Sequence, residues 1–71
     1  MFAVLFVEMV GTKRRVTWRD DTGHVSDCWL HQDGRIEFWD GFQPFWMDKT
    51  TAARIRRAIP DSVLRQMTNV V

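Results

Sequence analysis

Between positions 20 and 31 the chain gathers Asp20, His24, Ser26, Asp27, Cys28 and His31, side chains that serve as nucleophiles, bases or metal ligands elsewhere. Nucleophilic catalysis needs a Ser or Cys, a His base and an acid that orients the base. Ser26, His24 and either Asp20 or Asp27 supply those types. However, Ser26 and His24 fall beside a tight turn, which is expected to leave no room for a substrate pocket. A metal site needs convergent ligands. On a strand, positions 24 and 28 share a face and position 31 points away. No CxxC pair and no helical His pair occurs, so no metal is expected. Cys28 is expected as a small core residue. The neighbours Asp20 and Asp21 suit a turn, where Asp bonds its own backbone. No phosphate loop or dinucleotide fingerprint is present. The expectation is a protein that is not an enzyme and carries no cofactor.

Charge is more informative than motif. The net charge is +1, from 10 basic and 9 acidic residues, but the signs are segregated. Lys13, Arg14, Arg15 and Arg19 make a basic stretch. Residues 20–48 hold seven acids against Arg35 alone, and residues 49–71 hold five bases against Asp61. Lys13, Arg14, Arg54, Arg57 and Arg65 are candidates for phosphate contacts in nucleic acid. Against that, Arg54 and Arg57 suit the solvated side of an amphipathic helix. Asp20, Asp21, Asp33 and Asp40 are candidates for acidic loop tips that steer a basic partner.

The elements that must position these residues follow from period and punctuation. Gly11, Gly23, Gly34 and Gly41 separate apolar or alternating runs. They mark an antiparallel meander with strands at Phe2–Val10, Lys13–Arg19, His24–His31 and Arg35–Trp39. Gly11-Thr12 reads as a two-residue turn and Asp21-Thr22-Gly23 as a three-residue loop. Asp33-Gly34 reads as a two-residue type I′ turn. Residues 40–47 read as an aromatic connector; the cluster Phe38, Trp39, Phe42, Phe45 and Trp46 in or beside it is expected to plug the core, with a protein anchor and a cage or stacking platform for a cation or base as the other readings. From Asp48, an N-cap, the period becomes helical, with Thr51, Ala52, Ile55 and Ile59 on one side. Pro60 ends that helix and is placed to open a second, with Val63, Leu64, Met67 and Val70 or Val71 on its apolar side.

These turns set a register, and register sets faces. Val7 is expected opposite Val16, Leu5 opposite Trp18, Val16 opposite Cys28, and Cys28 opposite Trp39. One face then carries Ala3, Leu5, Val7, Val16, Trp18, Cys28, Leu30 and Trp39, a seat for the helix. The other carries Val4, Phe6, Val25, Trp29, Ile36 and Phe38, with Glu8 opposite Arg15 and Thr17 opposite Asp27. The second face is either closed, by curling of the sheet into an SH3-like barrel or by the connector, or left open for docking.

The fold class expected is α+β: a four-stranded antiparallel meander over residues 1–39, the connector at 40–47, and one or two short helices within 48–71. With 71 residues it reads as one small domain. The layout resembles chromo-like and SH3-like small folds, an architectural likeness that carries no function. A single cysteine excludes an internal disulfide and suits a reducing compartment. The apolar run at residues 2–10 is too short to span a bilayer and lacks the marks of a signal peptide. The reading is a soluble cytoplasmic protein without membrane contact.

The function expected is non-catalytic protein binding by an inhibitor or adaptor that covers a surface of a larger protein. Accessory proteins of phages and mobile elements share this profile. The contact surface expected is Arg15, Trp29, Ile36 and Phe38, with Asp20, Asp21, Asp33 and Asp40 steering. Nucleic-acid binding through the basic set is the alternative, and a structural homodimer is the third reading.

Overall fold

The computed structural model of the chain describes residues 1–39 and 41–61. The expected second helix, Asp40 and Arg65 lie outside the described residues. Within them the protein is α+β, one antiparallel sheet of five strands and one short helix. The strands are β1 (Ala3–Val10), β2 (Lys13–Arg19), β3 (Val25–Leu30), β4 (Ile36–Trp39) and β5 (Pro44–Trp46), and the helix is α1 (Lys49–Ala58). Strand order follows the chain, so β1 and β5 are the two edges of an open sheet.

The fifth strand corrects the expectation of four. Phe45 lies opposite Phe38 and Trp46 opposite Glu37, so the aromatic connector joins the sheet. Aromatic residues suit a pleated, half-buried surface. Pro44, first in an edge strand, gives up no ladder hydrogen bond by lacking an N–H.

Two registers differ from expectation, and each difference moves side chains between faces. The β3–β4 loop is Gln32-Asp33-Gly34, closed by Gly34 N–H on His31 O and His31 N–H on Arg35 O, at 3.0 and 2.9 Å. A type I′ turn at Asp33-Gly34 needs positive φ at both residues. Gly34 has φ 91°, and no described non-glycine residue has a positive φ, so the three-residue loop forms instead. Trp29 then pairs with Glu37 and Leu30 with Ile36, one residue away from the expected Cys28–Trp39 register. Ile36 therefore turns into the core and Trp39 out of it. In β1 the ladder slips between Val4 and Phe6. Leu5 is the extra residue of this bulge, so Val4, not Leu5, faces Trp18. The Val7–Val16 and Val16–Cys28 pairs are as expected.

The core lies between one sheet face and α1. Val16, Cys28, Leu30 and Ile36 from the sheet meet Ala52, Ile55 and Ile59, with Phe2, Val4, Val7, Trp18, Phe38 and Met47 around them. Asp48 caps the helix by accepting from the Thr51 N–H at 2.9 Å. Ile59, ahead of Pro60, closes it with a bond to Arg56 O. No described helix is long and apolar enough to cross a membrane.

Candidate functional site

The sheet face away from α1 carries a continuous row across all five strands. Glu8, Arg15, Trp29, Glu37 and Trp46 are successive cross-strand partners. Alternation along the strands adds Phe6, Lys13, Thr17, Asp27, His31 and Trp39 to the same face. None of the described elements packs over it. Trp39 and Trp46 are each more than half exposed, whereas Trp29 is half-buried among its neighbours.

Much of the charge on this face is paired. Arg15 bridges to Glu8. Thr17 Oγ1 donates to Asp27 at 2.6 Å. The Lys13 ammonium lies 5.9 Å from the centre of the Trp29 ring. The His31 ring is 2.8 Å from the Glu37 carboxylate and meets Trp46 edge-on at 5.1 Å between centroids. The bond to His31, with the Lys13 charge nearby, holds the Glu37 carboxyl below its ordinary range. Arg35 stacks over Trp46 at 4.0 Å while pairing with Asp33 at 2.7 Å. Such pairs are individually weak at exposed sites, but they hold the indoles in defined positions.

The surface expected from sequence is only partly assembled here. Arg15 and Trp29 lie side by side on the open face. Ile36 is 1% exposed and Phe38 packs on the core, so both belong to the helix-covered side. The one-residue change of the β3–β4 register is the cause. Trp39 and Trp46 take their places. The three-residue reading of Gln32-Asp33-Gly34 is the signal that finds Trp39, whereas Trp46 reaches the face through the pairing of β5 with β4.

Among the described residues, the acidic tips do not form one surface. Asp20 and Asp21 sit in the β2–β3 loop at one end of the sheet, and Asp33 in the β3–β4 loop at the other. Asp20 organises its loop, accepting from the Thr22 hydroxyl and from the Thr22 and His24 N–H groups. Those bonds, the hydroxyl's first, hold its carboxyl below the ordinary range. Asp21 reaches Arg54 on α1 at 2.9 Å, and that bond lowers its pKa. Asp33 accepts from the Arg35 N–H and side chain, which lower its pKa in that order.

The basic set is scattered. Arg14 is 3% exposed on the helix-covered face, whereas its neighbour Lys13 lies on the open one. Arg54 is paired with Asp21 and stacked over Phe2 at 4.1 Å; Arg57 is exposed on α1.

A cleft of about 390 Å³ opens where sequence left no room for one. The β3–β4 ladder stops at Trp29–Glu37, while β3 continues on β2 and β4 continues on β5. The two strands part, and Ser26 and Asp27 line one side of the gap while Phe38 and Trp39 line the other. Trp18, Asp20, His24 and Asp48 complete its polar and aromatic lining. Trp18 Nε1 is buried without a hydrogen-bond partner among the described residues. Ser26 and His24 share this cleft, but no Ser26–His24 hydrogen bond forms among the described residues, so a nucleophile–base pair is not assembled. Cys28, in the core cluster, is 1% exposed; burial, then the Asp27 charge, pushes its thiol pKa up to about 12. A second cleft of about 610 Å³ lies between the β3–β4 loop and α1, edged by Arg35, Trp46, Lys49 and Arg56. Its arginines are engaged, Arg35 with Asp33 and Arg56 with Gly34 O at 2.8 Å. Among the described residues, no three His, Cys, Asp or Glu side chains converge as a metal site. No family model, no curated protein and no solved structure matches the chain.

Proposed function

We propose that the protein is a non-catalytic binding module that docks on a larger protein through the sheet face opposite α1. Its centre is Trp29, flanked by Arg15, Trp39 and Trp46. The observation that carries this reading is the row Glu8–Arg15–Trp29–Glu37–Trp46, which no described element covers. Trp and Arg are the residues most enriched among binding hot spots. Their ion pairs and stacking contacts hold these side chains in place before a partner arrives, which lowers the ordering cost of association. A surface with its own paired charges favours a partner that is apolar at the centre and polar at its rim. Inhibitor and adaptor roles, including those of phage accessory proteins, both act by covering a surface in this way. The nucleic-acid reading loses support because Arg14 is buried and Arg54 is paired.

The test compares wild-type and Trp29→Glu baits in affinity capture from the source cell, with and without nuclease. The expected result is a nuclease-resistant partner that the variant fails to retain while its far-UV circular dichroism stays native. Equal capture by the two baits refutes this surface, and partners that vanish with nuclease refute the reading. Light scattering across protein concentrations tests the homodimer: a dimer that Trp29→Glu dissolves gives the face to a second copy instead.

A further inference from the structure

We infer that the cleft between the parted strands β3 and β4 binds an alkylammonium head group, with aromatic rings as its walls and carboxylates as its counter-charge. The walls are Trp18, Phe38 and Trp39, and the carboxylates are Asp20, Asp27 and Asp48. Among the described residues, no lysine or arginine lines the space. Arg19, between Trp18 and Asp20 in the chain, donates from Nε to the Met1 carbonyl at 3.0 Å, and Arg54 is directed to Asp21 in the adjoining loop. The positive end of the α1 dipole also faces this side of the molecule, and Asp48 caps it.

The chemistry selects the ligand. A cation is attracted to ring faces by their quadrupoles, most strongly by Trp, and the attraction survives when the cation carries alkyl groups. Carboxylates at the rim add a longer-range field that a neutral ligand does not feel. At about 390 Å³ the cleft falls in the range that small-ligand sites occupy. Hydrogen bonds from Thr22 and Thr51 hold Asp20 and Asp48 below the ordinary carboxyl range, so both are charged at neutral pH. Each acid keeps acceptor capacity beyond the bonds it already makes, because an ionised carboxylate has about four lone-pair sites. The space itself is a feature of the sheet, since β3 and β4 diverge just past Trp29 and Glu37.

Two sources supply such a head group, a free quaternary amine and a methylated lysine side chain of another protein. The experiment uses the full chain with three probes: choline, its uncharged tert-butyl analogue, and trimethyllysine blocked at both ends. Binding is followed by tryptophan fluorescence and by the indole N–H resonances of Trp18 and Trp39. The expected result is saturable binding of the cations, with the tert-butyl analogue roughly tenfold weaker. Asp20→Asn combined with Asp27→Asn removes two charges while each amide oxygen still accepts the existing hydrogen bonds. That variant is expected to bind roughly tenfold more weakly with an unchanged circular dichroism spectrum. Trp39→Ala, at an exposed position, is the second variant and is expected to weaken binding roughly fivefold. Tighter binding of choline assigns the free amine, and tighter binding of blocked trimethyllysine assigns a protein-borne one. Equal response to the tert-butyl analogue, or no saturation by either cation up to on the order of 100 mM, overturns the inference. Trp29→Glu is expected to leave these titrations unaltered, so failure here is distinguishable from failure of the open-face reading.

Discussion

Ile36 and Trp39 exchange faces if the β3–β4 register moves by one residue, so a pair of substitutions tests the register directly. Ile36 is 1% exposed and paired with Leu30 under α1, whereas Trp39 is 55% exposed. Ile36→Ala deletes three buried carbons at about 0.8 kcal/mol each, about 2.4 kcal/mol before any cavity is counted. The space left in the core cluster raises the cost to about 3–4 kcal/mol. A 71-residue domain has a total stability of about 3.5–10 kcal/mol. One truncation therefore removes between a third and all of it. At about 4–8 °C per kcal/mol, Tm falls by about 12–30 °C. Trp39→Lys keeps an aliphatic stem on the open face and places its ammonium in water near Glu37, costing about 1 kcal/mol or less. Thermal and urea unfolding by far-UV circular dichroism measures both variants. In the alternative register Ile36→Ala is a surface change, and Trp39→Lys buries an ammonium beneath α1. If Trp39→Lys destabilises more than Ile36→Ala, the register and the face assignment are wrong.

Two further outcomes follow from single side chains. Cys28, with its thiol pushed up to about 12, is expected to resist Ellman's reagent at pH 8 until the protein unfolds; the raised native value means stability is full below the ordinary 9.0 and is lost as pH rises through 12. Rapid labelling of the folded protein would show that β3 is not covered as described. Asp48→Ala removes the cap that accepts from Thr51 N–H and is expected to lower Tm by a few degrees near neutral pH. Because the Asp48 pKa is lowered on folding, its contribution is present above the ordinary 3.8 and is lost as pH falls through the native value, so wild type and variant converge in acid. A Tm difference that persists below that range refutes the capping role.

The class of fold, the first four strands and the helix were legible because each rests on local physics. Asp48 followed by Ala52, Ile55 and Ile59 at helical spacing specifies a capped helix whichever surface it meets. Pro60 ends it for a reason internal to the ring. The Gly11-Thr12 turn and the Asp21-Thr22-Gly23 loop set the β1–β2 register from Phe6 to Val10 and the β2–β3 register correctly, because loop length leaves little choice of partners. Arg15 beside Trp29 followed from those same turns.

What sequence did not determine lies where two local solutions have nearly equal merit and distant contacts choose between them. Asp33-Gly34 suits a two-residue turn, and Gln32-Asp33-Gly34 a three-residue loop. The longer loop puts Ile36 in the core cluster that includes Ile55 and avoids a positive φ at Asp33. The bulge at Leu5 is chosen in the same way, since it lets both Val4 and Val7 reach the core. The connector became a strand because β4 had an open edge beside it, which no pattern within residues 40–47 announces. Asp20, His24, Ser26 and Asp27 were visible as reactive types, but the cleft they border exists only because β3 and β4 bind different neighbours past Trp29. Residue types and turn residues act through the chain's own nearest neighbours and are read in sequence; register, the parting of strands and the open face arise from contacts between residues far apart in sequence, which only the folded sheet brings together.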